Sequence, residues 1–135
     1  GIVDDDDVRA FGRDIIAAFD VDIVAITIRY PDSFESHRWE SAAVDGQGNF
    51  YRSPAVNPIT LRDRLVGGDT WNAGFYYGML TESDPAEALS NGVMVGDAAT
   101  TKKHTLMYDL TFVEKDQVQS FMKEYLFGGA KRTVR

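Results

Sequence analysis

The stretch Leu65-Val66-Gly67-Gly68-Asp69-Thr70-Trp71-Asn72-Ala73-Gly74-Phe75 combines two glycines, a carboxylate and the start of a helical pattern. Glycines let backbone N–H groups approach an anion such as phosphate closely, and the positive end of a helix favours negative charge there. A carboxylate at the same place repels that anion unless it takes a proton or meets a cation. Phosphoryl transfer reconciles the two. Asp69 accepts the proton of an attacking hydroxyl while the glycine amides stabilise charge on the transferring group. Gly-Gly-Asp ahead of a helix also fits a loop whose aspartate is an ordinary N-cap, and on the motif alone that plainer reading leads. The sequence holds neither GxxxxGK[ST] nor GxGxxG, so it has no P-loop and no dinucleotide fingerprint.

The elements that must position this turn are legible from periodicity. Apolar spacing predicts a helix over Asp4–Phe19, with Val8, Phe11, Ile15, Ile16 and Phe19 on one face. The run Asp4-Asp5-Asp6-Asp7 at its start suits capping and the helix dipole, and lacks the spacing, glycine and glutamate of a calcium loop. Asp22–Arg29 is a continuous β-branched and apolar run, the pattern of a strand buried on both faces in a parallel sheet. His37–Val44 and Asn49–Ser53 read as strands of a hairpin turning at Asp45-Gly46-Gln47-Gly48. Three helices follow: Asp69–Leu80, Asp84 to about Thr101 with proline at its first position, and Lys115–Phe127, stopped by Gly128-Gly129. Trp71, Phe75 and Met79 fall at core spacing, and Gly74 and Gly78 permit close packing against the sheet.

Composition narrows the function classes. The 135 residues suffice for one domain. A formal charge of -7, from 14 basic and 21 acidic residues, argues against binding a phosphate backbone. With no cysteine there is no disulfide scaffold or thiolate metal site, and a reducing, cytoplasmic setting fits. No apolar run has the length of a membrane span, and two distant histidines, His37 and His104, give no support to a zinc site. His104 and Lys102-Lys103 suit the last turn of a helix, where cations are favoured, although a histidine there also reaches a nucleotide. Tyr76-Tyr77 and Phe50-Tyr51 have rings able to stack on an adenine, with burial as the commoner fate. Asp97, in an apolar helix, is left between solvent and a nucleotide.

The segment Arg62–Phe75 resembles the C-terminal signature of the ribokinase-like carbohydrate kinases. Lys103-His104-Thr105-Leu106-Met107-Tyr108-Asp109-Leu110 is similar to a KHT…GD segment of their 2-keto-3-deoxygluconate kinase branch. Val24–Arg29 resembles that branch's strand before the nucleotide loop, and Ser36–Trp39 and Phe50–Ser53 follow in its order. Three positions depart from the pattern: Val66 stands where a glycine is usual, Met107-Tyr108 replaces Pro-Gly, and Ile28-Arg29-Tyr30-Pro31 is bulkier than the usual glycine-rich loop.

The resemblance implies an α/β chain, the C-terminal part of a ribokinase-like three-layer α/β/α, Rossmann-like fold, with helices on a largely parallel sheet and a β-hairpin. It implies ATP-dependent transfer of the γ-phosphoryl group to a sugar or sugar-acid hydroxyl, with Mg2+ carried by the nucleotide. Asp69 matches the catalytic base and Gly67, Gly68 and Asp69 the anion hole. Thr27, Arg29, Asp97 and His104 fall on the nucleotide side, the helix carrying Gly92–Ala99 lies beside the adenine, and Asp69 and Asp109 meet the sugar. No metal ligand is assigned to the protein. The expected substrate is 2-keto-3-deoxygluconate, with a fructokinase or ribokinase type, or a non-catalytic nucleotide-binding fragment, as alternatives. Family members are about twice as long or more, so residues 1–135 are expected to be a C-terminal nucleotide-binding part without the N-terminal half and lid. A homo-oligomer is expected for the full-length protein, with no nucleic-acid or membrane partner.

Overall fold

A computed structural model describes residues 4–31, 36–54, 59–60, 67–106 and 114–123. Its elements are α1 (Asp5–Phe19), β1 (Ile23–Pro31), β2 (Ser36–Asp45), β3 (Phe50–Arg52), β4 (Ile59–Thr60), α2 (Gly67–Leu80), α3 (Pro85–Leu106) and α4 (Lys115–Phe121). Asp4 caps α1 by accepting from the Asp6 amide at 2.8 Å, the role expected of the aspartate run. The hairpin between β2 and β3 turns where its residues demand. Asp45 Oδ1 accepts from the Gln47 and Asn49 amides, and Gly48 takes a φ of 94°, open to glycine at little cost.

The layers are α1, the sheet, and the pair α2 and α3. α1 packs on β1 and β2, while α3 packs on β2 and β3. β2 is the central strand, pairing with β1 along one edge and with β3 and β4 along the other. The α/β layering matches expectation, but the strand directions do not: every pairing among the described residues is antiparallel. The reason is the length of the connections. A parallel neighbour needs a crossover of a dozen or more residues, whereas β1 ends at Pro31 and β2 begins at Ser36.

β1 is also not buried on both faces. Val24 is buried against α1, but Ala25, Thr27 and Arg29 are exposed because α3 sits over β2 and β3 instead. The strand buried on both faces is β2, in which residues 39–44 are all buried. α1 likewise presents a different stripe from the one expected. Val8 and Gly12 are buried, whereas Phe11 is 56% and Phe19 72% exposed. Gly12 is the point of approach, since a Cβ there would lie 2.2 Å from Val44 Cγ1. An ion-pair chain ties this helix to the sheet. Arg52 donates to Asp5 at 2.8 Å and to Glu40, and the Tyr30 hydroxyl donates to Glu40 at 2.6 Å. Those bonds to Glu40 and Asp5 raise the Arg52 pKa, and the bond to Glu40 is the main cause of a raised Tyr30 pKa.

α2 and α3 form an antiparallel helical hairpin. Asp84 caps α3 by accepting from the Glu87 amide at 3.1 Å, and the helix runs on to Leu106, past the expected end near Thr101. Gly74 and Gly78 serve this helix–helix contact and not a contact with the sheet. A Cβ on Gly78 would lie 2.6 Å from the Asn91 carbonyl oxygen, and one on Gly74 2.8 Å from that of Val95. α3 answers with Gly92 beneath Phe75 and Gly96 beneath Trp71. Trp71 and Phe75 stack with centroids 4.9 Å apart and join Ala43, Leu89 and Val93 in a core under the sheet. Among the described residues no helix is long and apolar enough to cross a membrane.

Gly78→Ala sets two effects against each other. Helix propensity favours alanine by about 1 kcal/mol, but the clash is with backbone, which cannot rotate away, and overpacking of that kind costs about 1–3 kcal/mol. The variant is expected to be destabilised in urea denaturation. Gly46→Ala, where a Cβ meets nothing within 4 Å, is expected to stay within about 0.5 kcal/mol of wild type.

Candidate active site

Two helical faces and a short third helix enclose a cleft of about 530 Å3, within the size range of small-molecule sites. α2 contributes Asp69, Thr70, Ala73, Gly74 and Tyr77, with Thr81 just beyond it; α3 contributes Asn91, Val95 and Ala99; α4 contributes Lys115, Val118 and Gln119, with Met122 at its C-cap. The periodicities explain the lining. Positions 91, 95 and 99 repeat at one helical turn, as do 115, 118, 119 and 122. The walls are largely apolar, with polar groups at the two ends. Asp69 and Thr70 lie at one end, and Asn91 and Thr81 at the other, about 18 Å along the helix. Tyr77 stands between them, accepting from Gln119 Nε2 at 3.2 Å, with Lys115 Nζ 5.7 Å from its ring centre. Asn91 also closes the α2 end by donating to the Gly78 carbonyl at 2.7 Å.

Asp69 is exposed in the first turn of α2, at the mouth of this cleft. Gly67 and Gly68 lie within the helix itself and not in a loop before it. Gly68 is exposed, and a Cβ there would meet nothing within 4 Å. Among the described residues nothing therefore crowds the Cβ side of Gly68.

The other expected site residues are dispersed. Thr27 and Arg29 are exposed on β1, paired across from Ser41 and Trp39, and do not line the cleft. His104 lies in the last turn of α3. Asp109, Val66 and the Met107-Tyr108 pair fall outside the described residues. Lys103, expected in the last turn of a helix, lies in the last turn of α3 and is fully buried.

Asp97 is a clear displacement: the nucleotide-side role expected of it does not fit its place. It follows Leu89 and Val93 on the α3 stripe facing the sheet, one face round from Asn91, Val95 and Ala99. It is 5% exposed and absent from the cleft lining. Its Oδ1 accepts from Trp71 Nε1 at 2.9 Å and from Ser41 Oγ at 2.5 Å. Among the described residues Oδ2 has no hydrogen-bond partner. Ser53 stands beside the carboxyl, with its hydroxyl directed to the Ser41 carbonyl at 3.2 Å. Burial pushes the Asp97 pKa up, and the hydrogen bonds offset this only in part. Burial, and then the Asp97 charge, raise the pKa of Tyr51 as well.

Missed in the sequence were Asn91, Lys115 and Gln119. The signal was present in the spacing of the last helix, where Lys115 and Gln119 share the face of Val118 and Met122.

No family model and no curated protein matches the sequence. Among solved structures, the 2-dehydro-3-deoxygluconokinase of Thermotoga maritima superposes with a TM-score of 0.74 at 20% identity over 91% of this chain. A PfkB family carbohydrate kinase of Listeria grayi superposes with a TM-score of 0.69 at 20% identity over 90%. This chain shares its fold with part of each of these two carbohydrate-kinase structures. This chain spans about a third of each of those structures, 36% in both cases.

The raised Asp97 pKa has a stability consequence with a definite sign. The folded state keeps the Asp97 proton to a higher pH than the unfolded chain, which releases it near pH 4. Stability from this group is therefore full below that pH and is lost as pH rises through the higher folded value. Asp97→Asn, which does not ionise, is expected to gain on wild type in urea midpoint as pH goes from about 4 to 8; a constant difference would contradict the assignment.

Proposed function

We propose that this chain is the nucleotide-binding and phosphoryl-transfer portion of a sugar kinase. The observation that carries this is the placement of Asp69, next to Gly68 in the first turn of α2, at one end of a cleft in a fold shared with part of two carbohydrate kinases. The cleft suits ATP: apolar walls and Tyr77 for a planar base, and the N-terminal turn of α2 for the terminal phosphates.

The chemistry follows from these positions. Asp69 takes the proton of the sugar hydroxyl as that oxygen bonds to the γ-phosphorus, and the bond from the γ-phosphorus to the β,γ-bridging oxygen breaks to release ADP. The Gly67 and Gly68 amides offset the negative charge on the transferring group. Mg2+ arriving with the nucleotide would neutralise phosphate charge. No residue of this chain is assigned to hold it.

The substrate class we assign is a sugar acid, 2-keto-3-deoxygluconate first. Two findings support it: the Lys103-His104-Thr105 segment, and the fold shared with a 2-dehydro-3-deoxygluconokinase. Fructose-type and ribose-type substrates are the alternatives to be screened beside it.

Asp69→Asn in the full protein is expected to lower kcat by roughly 100- to 10,000-fold, with Mg-ATP affinity by calorimetry changed by less than about 3-fold. Turnover within 10-fold of wild type would remove Asp69 from the role of base. Gly68→Ala is expected to keep or raise stability, since alanine favours a helix by about 1 kcal/mol, while weakening Mg-ATP binding or turnover. Unimpaired catalysis in that variant would show that the phosphates do not approach Gly68.

A further inference from the structure

Asp97 occupies a place where the pattern of its own helix calls for an apolar residue. Leu89 and Val93 precede it on the same stripe and pack with Ala43, Trp71 and Phe75. A carboxylate buried there is costly unless its bonds do something an apolar side chain cannot. Its bonds join three elements at one oxygen: Ser41 Oγ from the central strand β2, Trp71 Nε1 from α2, and Asp97 itself on α3.

We propose that Asp97 is a positioning residue that holds Asp69 in place through Trp71. Trp71 lies two residues beyond Asp69 in the first turn of α2, and its indole sits directly over Gly96. Contact with Gly96 limits how near α2 can come, but it leaves the turn free to rotate or slide. The hydrogen bond from Nε1 to the Asp97 carboxylate removes that freedom, because its direction as well as its length is fixed. Ser41 holds the carboxylate from the other side. Ser41 is itself clamped to the residue just after β3, donating its amide to Ser53 Oγ at 2.9 Å and accepting from the Ser53 amide at 2.8 Å. The position of the aspartate at the cleft mouth is thereby referred to the most buried strand of the sheet. Misplacing a catalytic group by about 1 Å costs on the order of 100-fold in rate, so this linkage acts on turnover more than on binding.

The inference rests on Asp69 being the base, and the experiment separates the two. In the full protein, Asp97→Leu, Asp97→Asn, Trp71→Phe, the Asp97→Leu/Trp71→Phe double variant and Asp69→Asn are compared for kcat, KM for ATP and KM for the sugar acid. Amide hydrogen exchange of the second turn of α2 is followed in each. Asp97→Leu removes the acceptor and is expected to lower kcat roughly 10- to 100-fold, with KM for ATP within about 3-fold and faster exchange at Asn72 and Ala73, past the unpaired amides of the helix start. Asp97→Asn keeps an oxygen for both donors and is expected to restore kcat to within about 3-fold of wild type. Trp71→Phe keeps the ring and loses the donor, so it tests the linkage even if Asp97→Leu does not fold; the same loss is expected. The double variant should then be no worse than either single one. Asp69→Asn inactive with Asp97→Leu and Trp71→Phe at wild-type kcat overturns the positioning role alone. Asp69→Asn active overturns the assigned base and this inference with it. Loss in Asp97→Asn equal to that in Asp97→Leu also overturns it, since the hydrogen-bond acceptor would then not be what matters.

Discussion

Two glycines of α2 meet two of α3 at a separation that no side chain allows. A Cβ on Gly74 or Gly78 would fall inside van der Waals contact with the α3 backbone, and one on Gly92 or Gly96 would strike the Phe75 or Trp71 ring. The close approach sets the rest. It presses Trp71 and Phe75 down onto the sheet. It also turns the opposite flank of α2 outward, so that Ala73, Tyr77 and Asp69 line a cleft that α4 closes from the side. The cleft is the space left when two helices touch at their backbones and a third cannot.

A second constraint is electrostatic. With 21 acidic residues against 14 basic ones, the molecule has more carboxylates than cations to pair with them. Glu40 is paired with Arg52 and with the Tyr30 hydroxyl, and that network holds α1 to the sheet. Asp97 has neutral donors only, which is why burial governs its protonation. Among the described residues the two buried acids lie on opposite faces of the sheet. Glu40 serves the α1 face, and Asp97 meets Ser41 on the face that carries α2 and α3.

Local signals were the most legible in the sequence. The Asp4 cap, the Asp45–Gly48 turn, the Asp84-Pro85 helix start and the core spacing of Trp71 and Phe75 all depend on neighbours within a few residues, and each stands where its residues predict. Strand direction was not legible, because a buried-looking run such as Ile23–Ile28 specifies apolar surroundings without specifying a partner. The exposure of Phe11 and Phe19 has the same origin: the amphipathic pattern of α1 allows several rotations, and the missing side chain of Gly12 against Val44 selects one. Asp97 was the hardest residue to place. Its role depends on Ser41 and Trp71, 56 and 26 residues away in the chain. Gly67, Gly68 and Asp69 were visible as a candidate site, while the cleft that Asp69 lines depends on how three helices meet.

The most direct test of the proposed phosphoryl-transfer site is a crystal structure of the full protein with Mg2+ and a non-hydrolysable ATP analogue. The account predicts the base between Tyr77 and the α3 and α4 walls, and the terminal phosphate within hydrogen-bond distance of the Gly68 amide beside Asp69. A nucleotide bound elsewhere, or in the cleft with its phosphates directed away from the first turn of α2, would contradict it.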